Sequence, residues 1–314
     1  MMDFREKEIS DRLRIIGKYF DLDELLGDKT DNQAVAKYYR KSDIFYNIIH
    51  SHGGHYIHMG LSDNGFFQKT DFEKQARFVG EFLTGSSPMR ILEVGAGRLA
   101  NTRLLAKQFP QHQFTALDLP DRNFLKNRVP GNVTLVEGDY NDLSAFQHTP
   151  FDLVFGVETV CHADSKERVL GEISKVLKPG GKLILFDVYE AKPYETMTDF
   201  EKRVSAITLA AMRVTAKDQY IGDTARYLEQ HQFTDIEVTE MTQAIRPTLR
   251  KLDRVGCYYF MHPWFIKFVS KWISYDVRMN NIAGWLMLYT FDGDYIHRYC
   301  RVVATKYNMN PRSV

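Results

Sequence analysis

The chain contains little cysteine and no long uncharged apolar run. Its 314 residues include three cysteines, and Cys161, Cys257 and Cys300 are far apart in the sequence. Few, widely spaced cysteines are typical of reduced thiols and argue against a disulfide framework or a cysteine-ligated zinc site. A membrane-spanning helix needs about 18 or more consecutive apolar residues. The sequence offers no such stretch, so we expect no stable membrane insertion.

Neither sign of charge dominates. Lysine and arginine number 41 and the acidic residues 40, for a formal net charge of +1. Proteins that bind nucleic acid normally carry a clustered basic surface, and no run of lysine and arginine is present, so we expect no nucleic-acid partner. Residues 1–8 carry charges where a secretory leader has its apolar segment, which predicts a cytoplasmic protein.

The most informative stretch is a glycine-rich loop at residues 91–99. A short apolar strand reaches Glu93, Gly95 and Gly97 follow one residue apart, and then a helix is expected. Glycine suits such a strand-to-helix turn because it tolerates positive φ angles and lets the backbone approach a ligand. Alone, the pair of glycines fits NAD, FAD and S-adenosylmethionine (SAM) sites alike.

Downstream of the loop, strand-like and helical segments alternate. The strand-like segments are residues 113–117, 133–137, 151–157 and 182–186. This alternation predicts an α/β fold with a parallel sheet and helices on both faces. The first three segments lead to the acidic residues Asp118, Asp139 and Glu158, which are expected to converge at the carboxyl edge of the sheet, where such folds bind ligands.

Five motifs in this order resemble the class I SAM-dependent methyltransferases. They are Glu93-Val94-Gly95-Ala96-Gly97, Asp118, Gly138-Asp139-Tyr140, Phe151-Asp152-Leu153-Val154 and Leu177-Lys178-Pro179-Gly180-Gly181. The resemblance covers about residues 90–189. It implies a Rossmann-like, seven-stranded and mostly parallel sheet that binds SAM.

The resemblance also implies roles for individual residues. Gly95 and Gly97 would pass the methionine part of SAM, Asp118 would hold the ribose hydroxyls, and Asp139 would meet the adenine with Tyr140 beside it. Glu93, Leu119 and Val157 complete the core part of the expected cofactor site.

Other interpretations of the acids stay open. An acid about 20 residues past the loop also suits NAD, and Asp118 and Asp139 can each cap a helix or turn. Glu93, the acid after the third strand and the Lys-Pro-Gly-Gly motif favour SAM.

The sequence divides into four parts. Residues 1–87 are expected to form an N-terminal helical lid segment and residues 88–241 the SAM-binding core. Residues 242–298 form an aromatic helical cap inserted before the last strand, and residues 299–314 hold the final core strand and the C-terminus. The last strand is expected to lie antiparallel beside the fifth.

The lid segment carries tyrosines and a cluster of histidines. Tyr38, Tyr46 and His58 resemble the segment that closes over SAM in cyclopropane-fatty-acid synthases and sterol methyltransferases, and we expect them to contact cofactor or substrate. Four histidines within nine residues also fit the composition of a metal site. Irregular spacing and Gly53-Gly54 argue against it, so we expect no metal.

The cap carries a stretch of aromatic residues. Trp264, Phe268 and Trp272 fall with other apolar residues on one side of an expected helix, opposite Lys267 and Lys271. Packing on the core, contact with a membrane surface and a wall for an apolar substrate all stay open, and so does a homodimer contact.

Residues 156–164 follow the fourth strand and resemble sterol 24-C-methyltransferases, which places Glu158 and His162 as candidate catalytic residues. His162 suits a general base for a hydroxyl or amine acceptor. Glu158 suits the stabilisation of a carbocation formed when an alkene is methylated. Both residues also fit structural roles, as a bond to loop amides and as a helix cap.

The sequence therefore predicts a SAM-dependent methyltransferase that acts on a small, fairly apolar acceptor, with C-methylation favoured. The alternatives are an O- or N-methyltransferase that uses His162 as its base and a non-catalytic SAM-binding protein. A protein or nucleic-acid methyltransferase is disfavoured, because the lid and the cap would enclose the site.

Overall fold

A twisted seven-stranded sheet organises the chain. The computed structural model describes residues 3–27, 41, 54–120, 129–214, 219–293 and 295–308. The strands are β1 (Arg90–Val94), β2 (Gln113–Asp118), β3 (Val133–Glu137), β4 (Phe151–Val157), β5 (Leu177–Glu190), β6 (Phe233–Glu240) and β7 (His297–Lys306). They lie in the order β3-β2-β1-β4-β5-β7-β6.

The pairing of the strands confirms the predicted topology. The five strands β1 to β5 pair in parallel, whereas β7 runs antiparallel between β5 and β6. The strand order reverses between β1 and β4, because β2 and β3 lie on one side of β1 and β4 lies on the other. In such sheets ligands bind in the crevice that this reversal leaves at the carboxyl ends of the strands. The sheet therefore brings the loops after β1, β2, β3 and β4 to one edge.

Helices cover both faces of the sheet. They are α1 (Phe4–Ile16), α2 (Leu22–Gly27), α3 (Lys74–Glu81), α4 (Ala100–Gln108), α5 (Lys166–Val176), α6 (Asp199–Ala211), α7 (Ile221–Gln230), α8 (Thr242–Met261), α9 (Pro263–Val269) and α10 (Tyr275–Thr290). Successive residues of β1 enter different hydrophobic clusters: Ile91 packs in one and Leu92 in the other. This alternation is what a strand that is buried on both faces requires.

The two clusters recruit different helices. Ile9 of α1, Leu105 of α4 and Ile282 of α10 belong to the larger cluster, whereas Val169 of α5 and Leu228 of α7 belong to the other. The cap helices therefore share a core with the N-terminal helix and one face of the sheet.

The aromatic stretch of the cap does not form one continuous buried face. Helix α9 ends at Val269, so the predicted stripe is interrupted before Trp272. Ile266 is buried, but Trp264, Phe268 and Trp272 are exposed. Of the roles left open for this stretch, packing on the core therefore does not hold for these three side chains, whereas Phe265 and Val269 of the same stretch do pack against the core.

Two further expectations concern the lid and the membrane. The apolar pattern of the first residues forms α1, as predicted, with Ile9 and Ile16 buried. Tyr38 and Tyr46 lie outside the described residues. Within the described ranges, no helix is long and apolar enough to cross a bilayer.

Candidate functional site

The loop between β1 and α4 leaves no room for side chains at its glycines. Gly95 and Gly97 have φ angles of +65° and +52°, values that L side chains rarely adopt. A Cβ on Gly95 would overlap the hydroxyl of Thr159, and one on Gly97 would lie 2.8 Å from Cδ1 of Ile57. The loop therefore forms a bare backbone surface between β4 and the segment that contains Ile57.

Asp118 ends β2 directly opposite this loop. Its carboxylate accepts hydrogen bonds from the backbone N–H of Gly97 and, at 2.7 Å, from that of Leu119. The carboxylate faces the crevice at the carboxyl edge, where a charged acceptor is placed to bind the paired hydroxyls of a ribose. The capping interpretation and the ribose interpretation of Asp118 are thus compatible.

Glu93 supports the loop from inside the protein. Its carboxylate accepts from the N–H of Thr102 at 3.1 Å, from the Thr102 hydroxyl and from Nδ2 of Asn101 at 3.2 Å. Burial raises the pKa of Glu93 to about 7. The side chain therefore joins β1 to the first turn of α4. It does not line the crevice at the carboxyl edge of the sheet.

The turn after β3 contributes its backbone and an aromatic ring. Asp139 accepts from the backbone N–H and the side-chain amide of Asn141, both at 2.8 Å. Its neighbours Gly138 and Tyr140 line the cavity. The Tyr140 hydroxyl donates to the carbonyl of Thr159 at 3.1 Å, so the turn is attached to the loop after β4. The adenine role of Asp139 stays a prediction.

These elements line a cavity at the carboxyl edge, with a space of about 450 Å³ that includes its part open to solvent. It is lined by Ile57, Gly95, Gly97, Asp118, Leu119, Gly138, Tyr140, Val157, Glu158, Thr159 and His162. Eight of the residues that the sequence singled out are thus brought together. The bare glycine backbone and the carboxylate beside it fit a nucleoside cofactor.

Glu158 occupies a strained position at the exit of β4. It has a φ angle of +48°, in the left-handed region that non-glycine residues rarely adopt, and its N–H donates to the carbonyl of Phe186 at 2.7 Å. The carboxylate accepts from the N–H of Met59 at 2.7 Å and bonds to the hydroxyl of Tyr299. Burial raises its pKa to about 8. The backbone therefore aims an acidic side chain into the protein.

Burial of Glu158 predicts a stability that falls as the pH rises. Its pKa of about 8 lies above the ordinary value of 4.5. Between these values the folded chain holds a proton that the unfolded chain has released, so the free energy of unfolding decreases with pH. Glu93 adds to this trend up to about pH 7. Burial lowers the pKa values of His58 and His297 to about 4 and about 3. These two histidines make the free energy of unfolding rise with pH, but only below about pH 6.5, where the unfolded chain holds the extra protons.

We therefore expect the thermal midpoint of the ligand-free protein to fall between about pH 6.5 and 8.5. Glu158→Gln should remove most of this fall, because the amide does not ionise and its oxygen still accepts from Met59. Each pKa unit corresponds to about 1.4 kcal/mol, so the variant should gain about 2 kcal/mol or more at pH 8. Calorimetric scans of both proteins over a pH series test this; parallel curves would contradict it.

His162 lines the same cavity from the short helix Val160–His162. Its Nδ1 lies 2.8 Å from the carbonyl oxygen of Arg213. Because a carbonyl only accepts, Nδ1 donates to it, and in the neutral form of the ring the lone pair is on Nε2. The Arg213 side chain bonds to Asp276 at 3.2 Å, which connects the histidine to the start of cap helix α10.

His58 does not line the cofactor cavity. The buried ring lies with Nε2 3.3 Å from Oδ1 of Asn101 and Nδ1 3.1 Å from the carbonyl of Met59. Asn101 in turn bonds to Glu93. The side chain therefore ties the lid segment to the glycine loop and also faces a second cavity.

A second cavity lies between the lid segment and the cap, with a space of about 440 Å³ that includes its part open to solvent. It is lined by Ile57, His58, Met59, Glu158, Met212, Leu252, Asn280, Ala283, Gly284 and Met287. Ile57 and Glu158 belong to both cavities, so the two spaces meet there. Sequence reasoning left open a cap wall for an apolar substrate but did not identify these residues, although positions 280, 283, 284 and 287 recur on one face of α10 with a spacing that could have indicated them.

Comparison with known proteins identifies the core. Residues 92–185 match the family model described as a methyltransferase domain. The glycine/sarcosine/dimethylglycine N-methyltransferase of Actinopolyspora halophila is 31% identical over 158 residues, which are 48% of this chain and 28% of that protein. The sterol 24-C-methyltransferase of Eremothecium gossypii is 24% identical over 188 residues, 56% of this chain and 50% of that protein. The chain thus spans half or less of these two relatives.

Two other matches extend further along the chain. A protein of Talaromyces variabilis named S-adenosyl-L-methionine-dependent Diels-Alderase is 26% identical over 240 residues, 71% of this chain and 80% of that protein. The cyclopropane synthase MmaA2 of Mycobacterium tuberculosis has a TM-score of 0.67 at 15% identity, covering 89% of this chain and all of that one; this likeness concerns the fold. The predicted class of domain and its cofactor, SAM, are confirmed.

Proposed function

We propose that this chain, which carries a class I SAM-dependent methyltransferase domain, transfers a methyl group to a small, fairly apolar acceptor. The observation that supports this most is the meeting of the two cavities at Ile57 and Glu158. One cavity has the glycines and the carboxylate that a nucleoside cofactor needs, and the other is walled mainly by aliphatic and methionine side chains. A donor and an acceptor would therefore face each other across one narrow junction.

The contribution of the protein to such a transfer is mainly placement. SAM, when bound, supplies an activated methyl group and a good leaving group. Ordered alignment of two reactants can lower a barrier by about 7–11 kcal/mol in favourable cases. Ile57 over Gly97 and the bond from Met59 to Glu158 fix the lid segment across the junction, and this segment also excludes water.

Glu158 is the proposed catalytic residue. A carboxylate at the junction takes a proton from the acceptor or stabilises positive charge that develops on it. Burial raises the pKa of Glu158 to about 8, and the positive charge of bound SAM or of the reacting acceptor would favour the ionised form, which is the form that accepts a proton. This arrangement supports an acceptor that becomes positive, as an alkene or an amine does, and we favour C-methylation.

His162 is the alternative base. It lines the cofactor cavity but not the second one, so its Nε2 approaches an acceptor only from the cofactor side. For a hydroxyl or amine acceptor that reaches this far, the lone pair of the neutral ring suits proton removal. O- or N-methylation therefore remains the second form of the proposal.

A function without methyl transfer has one specific observation in its favour. The Diels-Alderase match covers more of this chain than the N-methyltransferase and sterol methyltransferase matches do. Under this alternative SAM shapes the site, and the second cavity folds a polyene or similar substrate. Product would then appear without S-adenosylhomocysteine, which distinguishes the two proposals.

Gly284 lines the second cavity, so we expect the KM for the acceptor to rise with the size of a side chain introduced there. A Cβ there would lie 3.4 Å or more from its nearest neighbours in Leu252, which is ordinary van der Waals contact. Gly284→Ala should therefore fold normally and change the acceptor KM about twofold or less. Gly284→Leu places a large side chain at the cavity wall and should raise the KM for an apolar acceptor about tenfold or more, because it takes space that the acceptor needs and a loss of about 1.4 kcal/mol of binding is tenfold in affinity. SAM affinity, measured by calorimetry, should not change in either variant.

The proposed function is tested by incubating the enzyme with methyl-labelled SAM and an organic extract of small metabolites. Label in an apolar product, accompanied by S-adenosylhomocysteine, is the expected result. Gly284→Leu should reduce the labelling of that product and leave SAM binding intact. Label in protein or nucleic acid instead would show that the second cavity does not hold the acceptor.

A further inference from the structure

A cluster of large apolar side chains lies on the outer surface around α9. Among the described residues eleven large apolar side chains are exposed, and six of them fall between positions 258 and 273. We call these six the α9 patch: Tyr258, Met261, Trp264, Phe268, Trp272 and Ile273. Trp272 is 80% exposed and Trp264 62%. Single exposed apolar residues are ordinary, but a contiguous group indicates an interaction surface.

Core packing does not account for the patch. Helix α9 already points Ile266 into the protein, where it is 5% exposed, and Phe265 packs against the same core. Trp264 and Phe268 lie one turn apart on the outer side. The Trp264 and Tyr258 rings lie 5.7 and 5.3 Å from the Phe265 ring. The outer rings thus rest on an inner layer and are held toward solvent.

The charge around the patch is positive. No acidic residue occurs between positions 254 and 275, whereas Lys267 and Lys271 are both exposed there. The flanking acids are neutralised: Asp253 pairs with Arg12, and Asp276 pairs with Arg213. Aromatic side chains beside lysines are the composition that binds the interface of anionic bilayers.

We propose that the α9 patch docks this protein on an anionic lipid surface. Helix α9 has seven residues, far too few to cross a bilayer, so it lies in the interface plane. It connects α8 and α10, which line the second cavity with Leu252 and Ala283. Docking would therefore hold the two helices that wall this cavity next to the medium in which apolar molecules dissolve.

The positions of the tryptophans provide a direct test. The chain has three: Trp264 and Trp272 belong to the patch, and Trp285 is buried at 4% exposure. Vesicles of phosphatidylcholine with phosphatidylglycerol should shift the tryptophan emission of the full chain to the blue, and brominated lipid should quench it. Binding should weaken with salt, because the attraction is screened, and phosphatidylcholine alone should bind less. An unchanged spectrum with anionic vesicles would overturn the proposal.

Variants assign the binding to the patch. In vesicle flotation, Trp264→Ser with Phe268→Ser and Trp272→Ser should abolish binding, and Lys267→Glu with Lys271→Glu should weaken it about tenfold or more. Phe66→Ser is the matched control, since Phe66 is 75% exposed elsewhere and its loss should have no effect. The charge variant retains the aromatic side chains, so it tests the proposal even if the triple variant misfolds.

Two further results would contradict lipid docking. One is undiminished vesicle binding by the charge variant. The other is a dimer in light scattering that the aromatic substitutions dissociate, without vesicle binding by either form, since the patch would then join two copies of the chain. Because vesicle binding needs neither SAM nor acceptor, it is measured independently of the proposed methyl transfer, and failure of one leaves the other standing.

Discussion

Asp118→Ala should weaken SAM binding about 100-fold or more. The carboxylate stands at the end of β2, beside the N–H groups of Gly97 and Leu119. Its oxygens are the acceptors proposed for the ribose hydroxyls, and charge-assisted hydrogen bonds are about twice as strong as neutral ones. The substitution also removes the acceptor that orders the glycine loop, so two contributions to affinity are lost together. Isothermal titration with SAM and S-adenosylhomocysteine measures the effect.

Asp142→Ala is the matched control for this prediction. Asp142 also follows β3 at the carboxyl edge, but its carboxylate accepts locally, from the backbone N–H of Ser144 at 3.0 Å and from the Ser144 hydroxyl, and it does not line the cavity. Its loss should change SAM affinity about threefold or less. If Asp118→Ala is folded by circular dichroism and still binds SAM with near-normal affinity, SAM does not bind in this crevice.

Glu158→Gln should lower turnover about 100-fold or more and change SAM affinity little. The amide has nearly the same shape and still accepts from Met59, but it can neither take a proton nor carry the negative charge that opposes a developing cation. Acid-base catalysis by a positioned side chain contributes about 10²–10⁴-fold. Single-turnover measurements at saturating SAM separate this loss from cofactor binding.

Glu190→Gln serves as the control for the loss of a buried carboxylate. Burial also raises the pKa of Glu190, and its carboxylate accepts from the hydroxyl of Ser205 at 2.8 Å. It lines neither cavity, so its substitution should leave turnover within about threefold. If Glu158→Gln behaved in the same way, Glu158 would be structural, and His162 would become the leading candidate for the base.

The cofactor half of the molecule could be predicted because its information is local. Strands β3 and β4 have the predicted bounds, since an apolar run ends in a polar turn at each. Gly95, Gly97 and Asp118 could be placed for the same reason, because they lie at or just after the ends of the strands that position them. Parallel strands carry such residues to one edge whatever the rest of the chain does.

The acceptor half could not be predicted because its residues are remote from one another. Met59, Glu158, Met212 and Leu252 meet at one cavity from four separate segments, and no spacing rule connects them. The aromatic stretch of the cap is a different case. The spacing predicts one helical face through Trp272, but the helix ends at Val269, and within it Ile266 is the buried residue while Trp264 and Phe268 are exposed.

The central claim, methyl transfer from SAM to an acceptor in the second cavity, is tested most directly by product stoichiometry. The enzyme is incubated with methyl-labelled SAM and the acceptor found in the extract, and S-adenosylhomocysteine and labelled product are quantified together. Equimolar formation of the two, lost in Glu158→Gln, is the expected result. Conversion of the acceptor with no S-adenosylhomocysteine and no label in the product would contradict it and would establish SAM as a structural cofactor.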